Sequence, residues 1–227
     1  MIGLILPPGV RHAEAFGDQP AAPGALFPQE AALVARAVET RRREFATARA
    51  CARRALADVG VAPVALLPGP HGALVWPAGT VGSITHCNGY RAAAVADSER
   101  ADVASLGIDA EPHRPLPPGL IETITRPGEL PAVRSLLARR PTVRWDTLLF
   151  SAKEAVYKAC FPRYGAALGF EDASIEFDPR SGRFTAILHV PDPPGPLAGR
   201  WFTGGGLVLT SVVIPRERAA VGAALAA

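Results

Sequence analysis

The chain has 227 residues, of which 48% are hydrophobic and 20% are charged, and its formal net charge is +3. This composition is typical of a packed globular protein and excludes a largely disordered chain. The length suits one large domain or two small ones. The small net charge does not by itself indicate a nucleic-acid-binding protein.

The N-terminal segment and the cysteines bear on the compartment. The first apolar run stops at Pro7 and follows no basic segment, so we expect no secretory signal. The sequence contains no apolar run of about 18 residues, so we expect no membrane span. Cys51, Cys87 and Cys160 are odd in number and form no C-x-x-C pair, which suits a reducing cytoplasm better than a zinc or disulfide site.

The first half of the chain predicts a long helix followed by strands. Residues 1–28 are rich in proline and glycine and are expected to follow the surface. Apolar residues at spacings of three and four predict helix from Gln29 to about Val59, with a break near Thr40 and an end at Gly60. Three strand-like runs come next, at Val81–His86, Arg91–Ala96 and Ser105–Glu111.

The second half repeats this layout after a proline-rich, linker-like stretch at 111–119. We place the boundary there, which gives an N-terminal half of 1–112 and a C-terminal half of 113–227. A helical pattern over 145–159 precedes strand-like runs at Ala173–Phe177, Phe184–Val190 and Leu207–Ile214. The sequence therefore predicts an α+β fold of two similar halves, each with a long helix packed on a small, mainly antiparallel, three-stranded sheet.

The first chemical motif is a pair of acids. If Ser105–Glu111 is a strand, Asp109 and Glu111 face the same side, because side chains alternate along a strand. Two neighbouring carboxylates repel each other, and they stay ionised together when a cation lies between them. Oxygen ligands favour a hard ion such as Mg²⁺. The alternative is a pair of solvated acids at a strand end, and D-x-E alone favours that alternative.

The second motif, F-S-A-K-E-A-V-Y-K-A, contains Lys153, Glu154 and Lys158. Glu154 and Lys158 share a helix face, so the segment could supply an acid for a metal ion and lysines for phosphate oxygens. Two structural alternatives are an exposed ion pair and a capping box of Ser151 with Glu154. Because the apolar pattern begins at Trp145, we expect Ser151 inside the helix, where no capping is needed.

Two further clusters could bind phosphate. Arg42, Arg49 and Arg53 lie near one face of the first predicted helix, where guanidinium groups could grip a phosphate monoester. The alternative is a solvated basic face. Thr85 and His86 end a predicted strand near glycines and could donate hydrogen bonds to phosphate. A lone histidine is more often structural, and no G-x-S-x-G elbow supports a hydrolase triad.

Taken together, three segments resemble the signature blocks of the 4′-phosphopantetheinyl transferases of the Sfp/EntD type: GSITHCNGYRAAAVA, SLGIDAEPH and LLFSAKEAVYKACFP. The upstream EFATARACARRAL resembles the arginine block of the enterobactin-type, actinobacterial branch. The resemblance extends from about Leu26 to Ile214, and the pairing of G-I-D-x-E with F-S-A-K-E-x-x-x-K is specific. It implies two similar α/β halves with coenzyme A in the cleft between them.

The resemblance also implies a reaction and residue roles. The reaction is transfer of the 4′-phosphopantetheine arm of coenzyme A to a serine of an apo acyl or peptidyl carrier protein, with release of 3′,5′-ADP. By position in the motifs, the magnesium ligands are Asp109, Glu111 and Glu154. The general base for the carrier serine is either Glu154 or a metal-activated water. The lysines near the coenzyme A phosphates are Lys153 and Lys158. Lys158, with Lys153 as a second candidate, also stabilises the departing 3′,5′-ADP. The contacts to the nucleotide end, including its 3′-phosphate, are Arg49, Arg53, Thr85 and His86.

The chain departs from the family pattern at two positions. His71 stands where members of this branch often carry Lys or Arg, and a neutral histidine would hold a coenzyme A phosphate less well at high pH. Ala110, the middle residue of D-x-E, offers no side-chain ligand, so a backbone carbonyl or a water would fill that coordination position.

Two other functions use the same residues. One is a magnesium-dependent phosphohydrolase with water as nucleophile, and the other is a coenzyme A-binding module without turnover, which the loss of an acid would mark. All three acids are present. We expect no nucleic-acid or membrane partner, a cytoplasmic location, and a monomer, because both halves of the site lie in one chain. Fatty-acid, polyketide and nonribosomal-peptide carriers, including those of siderophore synthesis, all stay open.

Overall fold

The computed structural model describes residues 1–18, 24–69, 72–165 and 168–216. The described residues form eight strands and five α-helices. The helices are α1 (Pro28–Leu33), α2 (Glu39–Ala57), α3 (Leu120–Ile124), α4 (Glu129–Arg139) and α5 (Trp145–Tyr164). The strands are β1 (Arg11–Phe16), β2 (Thr80–Cys87), β3 (Tyr90–Asp97), β4 (Val103–Pro112), β5 (Ala173–Asp178), β6 (Arg183–Leu188), β7 (Leu197–Gly204) and β8 (Leu207–Pro215).

The strands form two antiparallel sheets, each covered by one long helix. The first sheet has the order β1-β3-β2 and packs against α2, and the second has the order β4-β8-β7-β6-β5 and packs against α5. A turn at Asn88-Gly89 joins β2 to β3, and Gly89 adopts a φ of 76° there. Left-handed backbone of this kind favours glycine.

Strand β3 lies at the centre of the first sheet and is buried on both faces. Ala92, Ala94 and Ala96 pack into a core shared with β4 and β8, whereas Ala93 and Val95 pack against α2. The alternation follows from strand geometry. The small side chains allow the helix and the second sheet to approach β3 closely from opposite sides.

The two sheets meet where edge strand β2 lies beside edge strand β4. The Ser83 hydroxyl accepts a hydrogen bond from the Ile108 amide at 3.1 Å, and the Thr85 hydroxyl accepts one from the Ala110 amide at 3.0 Å. These side chains satisfy amide groups that an open edge would leave without a partner. Because residue numbers rise together along the two strands, their C-terminal ends lie on the same side of the molecule.

The α+β fold, with a long helix on each antiparallel sheet, is confirmed, and the break predicted near Thr40 falls between α1 and α2. The expected three strands per half are wrong in detail. The first sheet takes its third strand from β1, and the strand predicted at Ser105–Glu111 instead opens the second sheet, which has five strands. The long apolar strand β8 pairs with β4 from Val103 to Pro112, and this pairing places β4 in the second sheet.

The helices α3 and α4 were not predicted, and they fill the stretch after the proline-rich linker. Strand β4 ends at Pro112 and pairs with β8, which comes after that position in the chain. The division of the chain at 112 stays a prediction. Within the described ranges, none of the helices is long and apolar enough to cross a membrane.

Candidate active site

A cavity of about 330 Å³ lies where the C-terminal ends of β2 and β4 face α5. Ile84 and Phe150 contribute apolar wall to it. The remaining lining residues are ones that the sequence singled out: Thr85, His86, Asp109, Glu111, Glu154 and Lys158. The structure therefore brings the three predicted acids and one of the two predicted lysines to one place.

Strand and helix periodicity position these groups. Asp109 and Glu111 are two residues apart on β4 and line the same cavity, and Glu154 and Lys158 are one helical turn apart on α5. Gly107 allows α5 to approach β4: a Cβ at this position would meet the backbone carbonyl oxygen of Ala155 and lie 2.6 Å from the Ala159 amide nitrogen.

An ion pair between Lys158 and Asp109 lines the cavity. The Lys158 ammonium donates to Asp109 Oδ1 at 2.7 Å and to the Ile108 carbonyl at 3.2 Å. The Thr85 hydroxyl also donates to Asp109 Oδ1, at 3.3 Å. The Asp109 side chain is 6% exposed and the Lys158 side chain 27%, so the carboxylate is fixed while the ammonium still reaches the cavity.

The negative charges of Glu111 and Glu154 are only partly balanced by the positive charge of Lys158. Burial, followed by the negative charge of Asp109, raises the pKa of Glu111 to about 7, against a lowering by Lys158. Burial also raises the pKa of Glu154; the charge of Asp109 adds to this and that of Lys158 opposes it. Two clustered acids with raised pKa values are the pattern expected where a cation is needed to hold several carboxylates ionised.

The three acids supply carboxylate oxygens, which are the ligands that a hard divalent ion prefers. Asp109 Oδ2 is buried and has no hydrogen-bond partner among the described residues, although a buried carboxylate oxygen normally has one. In the described part of the chain no three His, Cys, Asp or Glu side chains converge closely enough to hold one ion. Contact of a single ion with Asp109, Glu111 and Glu154 would therefore require side-chain rotation.

Lys153 does not lie in this cavity. Its side chain is 1% exposed, and its ammonium contacts Glu129 Oε2 at 2.7 Å. The same ammonium donates to the carbonyl oxygens of Ile124, Phe170 and Ala173. This corrects the assignment of Lys153 to phosphate binding: its neighbour in sequence, Glu154, points to the acid cavity, while the lysine ties α3, α4 and β5 to α5.

Arg49 and Arg53 are likewise committed within the protein. Glu30 is fully buried and accepts two hydrogen bonds from Arg53 Nη1 at 2.9 Å, and it lies 3.7 Å from Arg49 Nε. Arg49 also donates to the Leu66 carbonyl. Burial lowers the pKa of Arg49 to about 10. The two arginines assigned to the nucleotide end therefore neutralise a buried acid and hold α1 against α2.

Arg41, which was not predicted as a site residue, contacts His86. Arg41 Nη1 lies 3.3 Å from His86 Nε2, at the edge of the acid cavity. Local desolvation, and then the charge of Arg41, lowers the pKa of His86. The available signal was the helical spacing, since Arg41 lies about two turns before Arg49 on α2. Arg42, used in its place, forms an exposed ion pair with Glu39. His71 lies outside the described residues.

A larger cleft of about 530 Å³ adjoins the acid cavity and shares Ile84 and Lys158 with it. It is mostly apolar, with Trp76 and Tyr157 among its walls, and it lies between the first sheet, β4 and the end of α5. The cleft and the acid cavity together form a pocket that is mostly apolar and charged at one end. Pockets that bind small molecules and cofactors usually combine apolar walls with a few polar groups in this way.

Comparisons with known proteins identify the same family along nearly the whole chain. A model described as the 4′-phosphopantetheinyl transferase N-terminal domain matches residues 29–96, and one described as the 4′-phosphopantetheinyl transferase superfamily matches residues 105–204. The chain is 51% identical over 221 residues to the 4′-phosphopantetheinyl transferase Svp of Streptomyces mobaraensis, covering 94% of this chain and 89% of that protein. It is 44% identical over 230 residues to PptT of Mycobacterium tuberculosis (94% and 98% covered) and 45% identical over 226 residues to Npt of Nocardia iowensis (93% and 99% covered).

Proposed function

The chain belongs to the 4′-phosphopantetheinyl transferase superfamily, and we propose that its acid cavity and the adjoining cleft hold coenzyme A for this transfer. The enzyme transfers the 4′-phosphopantetheine arm of coenzyme A to a serine of an apo carrier protein. The observation that supports the assignment to this cavity is the meeting of Asp109, Glu111, Glu154 and Lys158 at the mouth of a cleft large enough for part of coenzyme A.

Three acids and one lysine would have separate roles at the pyrophosphate of coenzyme A. Asp109, Glu111 and Glu154 are the residues that would hold magnesium, and such an ion supplies neutralisation of the charge on the pyrophosphate oxygens. Lys158, whose side chain is partly exposed and lines the cavity, would donate to the phosphate that leaves with 3′,5′-ADP. Glu154, with its raised pKa, would accept the proton of the attacking carrier serine.

Several finer features stay proposals. We propose that the carriers are acyl or peptidyl carrier domains of fatty-acid, polyketide or nonribosomal-peptide synthases, siderophore synthases included. The basic sequence, with a net charge of +3, favours the approach of an acidic carrier surface. A monomer is the simpler arrangement, because β2, β4 and α5 of one chain build the site. A cytoplasmic location is supported by the three free cysteines.

Removal of divalent metal is expected to abolish the transfer. The intact mass of a purified apo carrier should increase by one phosphopantetheine arm after incubation with enzyme, coenzyme A and Mg²⁺, and excess EDTA should prevent that increase. The physical reason is that three carboxylates would otherwise face a pyrophosphate with no cation between them. Added Mg²⁺ should restore the increase, and full modification in excess EDTA would contradict the metal assignment.

Release of 3′,5′-ADP, measured with and without a carrier, tests the rival hydrolase. A magnesium-dependent phosphohydrolase would cleave coenzyme A with water and release 3′,5′-ADP at a similar rate whether or not a carrier is present. A transferase should release 3′,5′-ADP in step with carrier modification. A coenzyme A-binding module would bind coenzyme A and release nothing in either case.

We propose that Arg41 and His86, which lie 3.3 Å apart, contact the 3′-phosphate of coenzyme A. Arg41→Ala is expected to raise the KM for coenzyme A about tenfold with little change in kcat, because a charge-assisted contact far from the breaking bond contributes uniform binding. His86→Ala should have a smaller effect of the same kind. Arg43→Ala is the matched control, since its side chain is on the same helix and equally exposed, at 48% against 47% for Arg41. Steady-state kinetics with coenzyme A and with dephospho-coenzyme A measure both constants. An Arg41→Ala enzyme that discriminates against dephospho-coenzyme A as strongly as wild type does not use Arg41 to bind the 3′-phosphate.

A further inference from the structure

Arg41 is joined to the protein interior by a chain of charged groups. Glu44 divides its carboxylate between two guanidinium groups: Oε2 lies 3.3 Å from Arg41 Nη1, and Oε1 lies 3.2 Å from Arg91 Nη2. Arg91 Nη2 also contacts Asp18 Oδ2 at 2.8 Å. His86, the other neighbour of Arg41, is paired with Arg91 across the β2–β3 ladder. The four ionic groups therefore form one network that ends at the acid cavity.

The inner end of this network is rigid and the outer end is not. The Arg91 side chain is 3% exposed and also donates to the carbonyl oxygens of Cys87 and Tyr90, so its position is fixed by the backbone of the β2–β3 hairpin. The Arg41 side chain is 47% exposed and has four rotatable bonds. Glu44 connects the buried guanidinium of Arg91 to the exposed guanidinium of Arg41.

In an ordinary surface ion pair, neither partner is held in place by a buried group. Glu39 pairs with Arg42 and Arg43 on the same helix, and all three side chains are about half exposed. Pairs of that kind contribute little, because both partners remain free to move. Glu44 is different because one of its oxygens is held by a buried cation, so the other presents a fixed acceptor to Arg41.

We propose that Glu44, supported by Arg91 and Asp18, is a positioning residue that holds the Arg41 guanidinium beside His86 for a phosphate group of coenzyme A. This inference rests on the proposed function, in which Arg41 and His86 contact that phosphate. A preoriented guanidinium loses less side-chain freedom when the phosphate arrives, so binding is tighter. Glu44 itself touches no substrate and acts through Arg41.

The test is Glu44→Gln, with Glu39→Gln as the matched control on the same helix. Glu44→Gln is expected to raise the KM for coenzyme A about threefold to fivefold, less than Arg41→Ala, and to leave kcat within about twofold, as expected for lost uniform binding. Glu39→Gln should change neither constant. In an Arg41→Ala background, Glu44→Gln should add nothing, because two residues that act through one contact are not additive.

Each result separates this inference from the proposed function. If Arg41→Ala leaves the KM unchanged, the assignment of Arg41 to a phosphate fails, and this inference fails with it. If Arg41→Ala raises the KM while Glu44→Gln behaves like Glu39→Gln, the proposed function stands and the positioning role is overturned. A lower KM in Glu44→Gln would show that Glu44 competes with the phosphate for Arg41, which also overturns it. An undiminished effect in the Arg41→Ala background would identify a general structural role.

Asp18→Asn is the second variant if Glu44→Gln lowers the melting temperature strongly. This substitution removes the negative charge beside Arg91 and keeps the contacts of Glu44 with Arg41 and Arg91. It should raise the KM by a smaller factor than Glu44→Gln, and that effect should also vanish in the Arg41→Ala background. An effect of Asp18→Asn that persists without Arg41 would contradict the proposal.

Discussion

Glu154→Gln is expected to lower turnover by about a hundredfold or more, while the enzyme stays folded. The substitution removes a charge at the acid cavity and barely changes the side-chain volume. Glu154 lines the cavity with Asp109 and Lys158, so either as a metal ligand or as the base for the carrier serine it acts at the reacting phosphate. The measurement is the rate of carrier modification at saturating coenzyme A and Mg²⁺.

The melting temperature of this variant should equal or exceed that of wild type in metal-free buffer. The folded-state pKa of Glu154 is raised, chiefly by burial, so its ionisation at neutral pH opposes folding when no cation is bound. A neutral glutamine removes that penalty. This distinguishes loss of catalysis from loss of structure, because a structural glutamate would show the opposite change in stability.

Two comparisons make the result interpretable. Glu99→Gln changes an acid whose side chain is 82% exposed, and it should leave both rate and melting temperature unchanged. Near-normal turnover in Glu154→Gln would show that Glu154 is an ordinary helix residue. The capping alternative is already excluded by position: α5 begins at Trp145, and Ser151 lies inside it, with its hydroxyl 2.8 Å from that of Thr210.

The acid cavity could be predicted from the sequence because it depends on local periodicity. Alternation along β4 places Asp109 and Glu111 together, and helical spacing on α5 places Glu154 beside Lys158. Both elements are long and strongly patterned, and the structure has them close to their expected ends. One contact between β4 and α5 is then enough to bring all four groups into one site.

The arginine positions could not be predicted, because they depend on a long-range partner. Arg49 and Arg53 share a helix face that suits a phosphate, but Glu30 in α1 folds back and neutralises both. Nothing in the local pattern shows that Glu30 is buried. Lys153 is a similar case: it adjoins Glu154 in sequence but is turned by about 100° on the helix, toward Glu129.

The missed strands have weak local signals. In β1 only Ala13 is buried, so the strand shows no clear alternation, and it lies within the proline- and glycine-rich segment 1–28. In β7 the glycines at 199 and 204 interrupt the pattern, and Gly199 is required because the ring of Phe184 packs directly over it. The tertiary neighbours, rather than the strand propensity of these segments, determine that they pair.

Gly107→Ala is expected to damage both stability and catalysis, because the added methyl group would meet the backbone of α5. The Ala159 amide nitrogen would lie 2.6 Å from the new carbon, and the Ala155 carbonyl oxygen would clash with it. Backbone cannot rotate away as a flexible side chain can, so β4 and α5 must separate. Overpacking of this kind costs about 2–3 kcal/mol. For a chain of this size the melting temperature should fall by about 4–12 °C.

The catalytic loss should exceed what the stability loss explains. The two elements that must separate carry all four charged groups of the cavity, with Asp109 and Glu111 on β4 and Glu154 and Lys158 on α5. A displacement of about 1 Å between reacting groups can lower a rate about a hundredfold, so turnover assayed well below the melting temperature should fall to that extent. Gly195→Ala is the control, because its added carbon would have no neighbour within 4 Å. A Gly107→Ala enzyme with a lowered melting temperature but wild-type turnover would show that the separation of β4 from α5 does not set the geometry of the site.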